Sequence, residues 1–130
     1  MNIVIDTSAI IAVITNEPQK ARLIQQTQGA ILISPRSVEW EIGNAFSAML
    51  KRKRITLEQA ISAVSVFRQI PVRFVDVELD EAIKIAAELN IYAYDAYLIR
   101  CAQKHKSSLL TLDSGLIEAA KRGSVTTIEV

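Results

Sequence analysis

Apolar residues follow two rhythms along the chain. In short clusters they stand side by side, as in "NIVID" at 2–6, "AILIS" at 30–34 and "VRFV" at 72–75. A strand at 108–112 and "VTTIEV" at 125–130 complete a set of five. Unbroken branched apolar runs of this length suit strands buried on both faces. Elsewhere apolar positions return every three or four residues, which predicts helices over 8–14, 17–28, 35–53, 57–69, 78–89, 95–106 and 114–122. The punctuation agrees with several of these bounds. Asn16 reads as an N-cap with Pro18 in the first turn, and Ser34-Pro35 opens the long helix in the same way. Thr56 with Gln59 forms a capping box, and Gly123 reads as a left-handed residue closing the helix before it. Strands alternating with helices imply an α/β fold, a parallel sheet with helices on both faces.

Composition narrows the class. A chain of 130 residues with 50% hydrophobic and 22% charged content is expected to form one domain, spanning 1–130, with a substantial core. No apolar stretch approaches a membrane span, and "AIIAVI" at 9–14 is bounded by Ser8 and Thr15, so no membrane partner is expected. The N-terminus lacks the basic start and small-residue cleavage site of a secretion signal, which makes the cytoplasm the expected compartment. Cys101 is the single cysteine; it excludes an internal disulfide or a multi-cysteine zinc site and reads as a small buried hydrophobe. The net charge of +1 decides nothing about nucleic acid. "KRKR" at 51–54 and the group Arg100, Lys104 and Lys106 fall near helix C-termini, where cations favour the macrodipole and face water.

The chemistry lies in the acids. Asp6 and Asp113 each follow a predicted strand directly, and right-handed crossovers bring every strand end of a parallel sheet to one edge, where such sheets bind ligands. Glu41 borders the stripe of Val38, Ile42, Ala45, Phe46 and Met49, on the side of Asn44 and Ala48. Asp95 begins a helix whose Leu98, Ile99 and Ala102 face inward with it. Taken singly, Asp6, Asp95 and Asp113 also read as helix caps, and Glu41 as a boundary glutamate. Taken together, all four fall at strand ends or helix starts, the same side of a parallel fold. Carboxylates gathered there must protonate, spread apart or bind a cation. Oxygen-only ligation without histidine or cysteine suits Mg²⁺ or Mn²⁺ rather than zinc, and such an ion can activate water against a phosphoryl group.

"IDTSAI", "EIGNAF", "YDAYLIRCA" and "LTLDSGL", in this order, resemble the four signature segments of PIN-domain ribonucleases, most closely the VapC-type toxins of toxin–antitoxin pairs. The resemblance covers essentially the whole chain. It implies a PIN-like three-layer sandwich with a five-stranded parallel sheet in the order 3-2-1-4-5. It matches the family's acids to Asp6, Glu41, Asp95 and Asp113, and its accompanying residues to Ser8, Asn44 and Thr111. The implied activity is Mg²⁺- or Mn²⁺-dependent hydrolysis of RNA. The implied partners are an RNA substrate, a small antitoxin that fills the groove, and a second copy in a homodimer. Asp6, Asp95 and Asp113 would hold the metal directly or through water. Glu41 would be a ligand through water or would orient the attacking water. Ser8 and Thr111 read either as hydroxyls that support the carboxylates or as an ordinary first-turn serine and strand threonine. "DSGL" departs from relatives that carry a charge after the aspartate, which bears on substrate contacts more than on metal.

Other readings stay open. An aspartate-based phosphatase or phosphoacceptor domain also places an acid after the first strand, but the phosphatase pattern wants a second aspartate where Ser8 stands. A non-catalytic RNA- or protein-binding domain of the same fold is the remaining alternative. No glycine-rich phosphate loop is present, which excludes P-loop nucleotide hydrolysis. His105 reads as solvent-facing, and Trp40 as packed on a neighbouring helix in preference to a partner surface. Tyr92, Tyr94 and Tyr97 read as a packed loop-to-helix junction, with base stacking the weaker alternative.

Overall fold

The computed structural model describes residues 1–130. Strand β1 (Asn2–Ile5) leads into α1 (Thr7–Ile14) and α2 (Lys20–Thr27), followed by β2 (Ile31–Pro35) and the long α3 (Ser37–Lys51). Then come α4 (Leu57–Gln69), β3 (Val72–Val75), α5 (Leu79–Leu89), α6 (Ala93–His105), β4 (Ser108–Leu110) and α7 (Ser114–Arg122). All strand pairs are parallel, and the sheet runs β3-β2-β1-β4. Consecutive residues Ile3, Val4 and Ile5 of β1 are all buried, so both faces of the central strand are covered. Helix α6 lies against β1, β2 and β4 with α5 beside it, while α1 packs with α2, α3 and α4.

The sheet has four strands, not five. The segment 125–130 meets β4 only at Leu109↔Thr127, through Leu109 N–H to Thr126 O and Ile128 N–H to Leu109 O. A second rung would need extended backbone beyond Leu110, but β4 ends there and Thr111 turns its hydroxyl to other work.

Two helix ends also differ from expectation. Asn16 does not cap α2. It adopts a left-handed φ of 56° and closes α1, with its N–H on Val13 O and the Glu17 N–H on Ala12 O. That is a Schellman end, and asparagine tolerates it because its side chain is short and polar. Helix α7 ends in the same way at Ser124 (φ 59°), whose N–H reaches Lys121 O while Val125 N–H reaches Ala120 O. Gly123 has an ordinary negative φ; a Cβ there would meet Ile99 Cγ2 at 3.2 Å and Leu89 Cδ1 at 3.3 Å, so close approach explains this glycine.

Ser34-Pro35 is likewise not a helix start. Pro35 is the last residue of β2, and the buried Ser34 hydroxyl donates to Ile5 O, tying the C-terminal ends of β1 and β2 together. Trp40 is 71% exposed and not packed on a neighbouring helix, and His105 is half-buried, with an Nε2 that finds no partner. Cys101 is fully buried, as expected. Arg100 and Lys104 do not stand free in water: both pair with Glu78, at 3.0 and 3.4 Å.

The Thr56–Gln59 capping box is present in both directions, at 3.1 and 2.9 Å. Thr56→Ala is expected to lower stability by about 1 kcal/mol in urea unfolding. Ile99→Ala, which empties a fully buried site, is expected to cost roughly 2–5 kcal/mol in the same measurement.

Candidate functional site

Asp6 is the first residue past β1 and caps α1, accepting the Ala9 N–H at 3.0 Å. The Ser8 hydroxyl donates to its two oxygens at 2.8 and 2.9 Å, and the Thr111 hydroxyl donates to Oδ2. Only 4% of Asp6 is exposed. Burial pushes its carboxyl above the ordinary range, and the Asp113 charge adds to this; the three donors pull the other way.

Asp113 follows β4 and caps α7, with Oδ1 accepting from Gly115 N–H at 2.8 Å and Leu116 N–H at 3.3 Å. Thr111 joins the two aspartates: its oxygen accepts the Asp113 N–H at 3.0 Å while its proton goes to Asp6. Ser8 mirrors it from the other strand end, accepting the Leu112 N–H at 3.0 Å. Both hydroxyls therefore cross-link the loop after β4 to the loop after β1.

Glu41 stands in the second turn of α3, half-buried, with Thr7 donating to Oε2 at 3.3 Å. Burial raises its carboxyl from 4.5 to about 7, reinforced by the charges of Asp6 and Asp95. Asp95 lies in the first turn of α6 and is raised by burial and then by Asp113; no hydrogen bond engages its carboxyl. Asn44, one turn beyond Glu41, is exposed, and its side chain joins none of these bonds. Thr7 is the residue that sequence reading missed. The signal available was its place beside Asp6, but its partner lies 34 residues away on another helix.

The four acids thus act on one another electrostatically from four separate segments, and none has a lysine or arginine partner. As placed, no three converge closely enough to enclose one ion. Like charges without a counter-ion repel, and Asp6 already spends its oxygens on Ser8, Thr111 and Ala9. The donor set nevertheless fits a hard divalent cation. All the donors are oxygen, Asp95 has its lone pairs free, and burial makes ionised carboxylates here costly unless a positive charge joins them. Cavity shape does not single this rim out: the groove of about 600 Å³ lined by Ile14, Phe46, Met49 and Val66 includes none of the four acids.

No curated protein sequence matches the chain. Among solved structures it is similar to the Pyrobaculum aerophilum protein PAE2754, with 20% identity, TM-score 0.74, and coverage of 93% of this chain and 81% of that one. It is similar to VapBC2 from Rickettsia felis bound to a promoter DNA fragment, with 16% identity, TM-score 0.69, and coverage of 99% and 98%. It is also similar to Mycobacterium tuberculosis VapC20, a toxin that cleaves the sarcin–ricin loop, with 17% identity, TM-score 0.66, and coverage of 98% of both chains. At such identities the likeness is one of fold. Residues 3–122 match the sequence profile of the PIN domain, a span that takes in all four acids, and the chain belongs to the PIN domain family.

Proposed function

We propose that this protein is a divalent-metal-dependent endoribonuclease, the VapC-type toxin of a toxin–antitoxin pair acting in the cytoplasm. One observation carries the reading: Asp6, Glu41, Asp95 and Asp113 influence one another at one rim with no cationic side chain to neutralise them. A fold that only needed stability would gain by replacing them. The similarity to VapC20 and to VapBC2 supports the toxin assignment, and a small antitoxin offering a basic side chain would complement the same acids.

Asp6, Asp95 and Asp113 would hold Mg²⁺ or Mn²⁺, which when bound supplies positive charge to a phosphoryl oxygen and lowers the pKa of water. The protein residues do the rest. Thr111 and Ser8 fix Asp6 in one orientation and tie it to the loop carrying Asp113. Thr7 holds Glu41 at the edge of the cluster. Held there, Glu41 would be a metal ligand through water or would orient the attacking water. Asn44, exposed one turn beyond Glu41, would meet substrate.

The purified chain should cleave RNA with Mg²⁺ or Mn²⁺ and lose that activity in EDTA. Asp6→Asn and Asp95→Asn should each lose at least about 100-fold in single-turnover rate while remaining folded by circular dichroism. Thr111→Val should lose roughly 10- to 100-fold through misorientation of Asp6. Full activity in EDTA, or in Asp95→Asn, would reject the metal mechanism.

Glu41 also predicts a pH dependence of stability in the metal-free protein. Its folded pKa of about 7 exceeds the ordinary 4.5, so the folded state holds the proton more tightly than the unfolded chain. The associated stability is complete below about pH 4.5 and is lost as pH rises towards 7. Asp6 and Asp95 act in the same direction. Thermal unfolding across this window should show the decline, Glu41→Gln should flatten it, and Mg²⁺ should restore stability most at the alkaline end.

A further inference from the structure

Tyr92, Tyr94 and Tyr97 surround Asp95 in sequence; Tyr97 packs against the core as a junction residue should, but Tyr92 and Tyr94 do not. Tyr92 is 88% exposed and Tyr94 57%. The rings of Tyr94 and Tyr97 meet edge to face, 6.0 Å between centroids and 89° between planes. Tyr97 in turn lines a cavity of about 220 Å³ between the C-terminal ends of β2 and β3 and the start of α3. Pro35 and Val77 give it apolar walls, and the exposed Arg36–Asp76 ion pair, at 3.0 Å, stands among its lining residues.

Ser37 also lines this cavity. Its hydroxyl is itself buried and has no hydrogen-bond partner, though buried hydroxyls are ordinarily partnered. The cavity is smaller than the ~300 Å³ lower bound of pockets for drug-sized ligands, so it suits one planar ring rather than a whole cofactor. It also opens on the acids' edge of the sheet, at the C-terminal ends of β2 and β3. Ser37 lies one turn before Glu41 on the same side of α3.

Resting on the ribonuclease reading, we infer that this cavity and its tyrosine approach form a base-binding subsite for single-stranded RNA beside the carboxylates. Tyr94 and Tyr97 offer ring surfaces for stacking, and any unpaired base has a face to stack with. Arg36 as donor and Asp76 as acceptor meet the hydrogen-bonding edge of the base. The surface ion pair opens at little cost because its charges already face water. Bases inside a duplex are stacked and paired and cannot enter, so the subsite selects unpaired RNA.

The test is fluorescence anisotropy with the full chain in EDTA, using a short unstructured RNA strand and the same strand annealed to its complement. The wild type should bind the single strand more tightly than the duplex. Tyr94→Leu, at an exposed position that leaves the fold intact, should weaken single-strand binding about 10-fold and leave duplex binding unchanged. Tyr94→Phe should retain it. Equal binding of both forms, no binding of the single strand, or indifference to Tyr94→Leu would overturn the subsite. So would sedimentation showing that Tyr94→Leu instead dissociates a self-associated form. Binding is read without divalent ion and therefore apart from catalysis. Tyr94-dependent binding with no cleavage on adding Mg²⁺ would sink the nuclease reading alone. Cleavage unchanged by Tyr94→Leu in both KM and choice of cut site would sink the subsite alone.

Discussion

Carboxylates packed at one end of a parallel sheet without a counter-charge set the terms for everything around them. Asp6, Glu41 and Asp95 are costly to ionise where they stand, since burial removes water from them and the neighbouring charges add repulsion. The fold offsets part of this cost with dipoles. Asp6 and Asp113 cap α1 and α7, and Asp95 lies in the first turn of α6, where helix N-termini favour negative charge. The helix starts that make the acids tolerable are the same features that bring them to one rim. A structural cap and a chemical group are therefore not competing descriptions of Asp6; the geometry of one creates the other.

Order at this rim comes from hydroxyls more than from charge. Thr111 and Ser8 tie the ends of β1 and β4 together through Asp6, and Ser34 does the same for β1 and β2 through the Ile5 carbonyl. Thr7 extends the pattern to α3. Neutral donors can orient carboxylates without neutralising them, which arginine or lysine would do. Arg100 and Lys104, on the same helix as Asp95, are held by Glu78, and Arg36, at the start of α3, by Asp76. The Arg100 hydrogen bond keeps the Glu78 carboxyl down at about 2, so this pairing persists across the whole neutral range.

What could be read in advance was whatever depends on local pattern. The branched runs around Ile3, Leu32 and Leu109 marked the buried strands, and the capping box at Thr56 marked α4 to the residue. Asp6, Glu41, Asp95 and Asp113 stood out because strand ends and helix starts share one side in any parallel α/β fold. Features set by tertiary contacts were hidden. Asn16 and Ser124 have the chemistry of an N-cap, yet each closes the preceding helix through bonds to residues three and five positions back. The β-branched tail looked like a strand, but its length of pairing was decided by where β4 stops. Trp40 looked like core and lies in water, since no helix packs over that side of α3. The link from Thr7 to Glu41 has no sequence signature at all.

The lone sulfur has a quieter consequence. Cys101 is sealed among Leu98, Ile99 and Ala102, and burial pushes its thiol up to about 12. At neutral pH it carries almost no thiolate, so thiol-directed reagents find no nucleophile at this position while the chain is folded. Folded copies of the protein are therefore not joined to one another through disulfides.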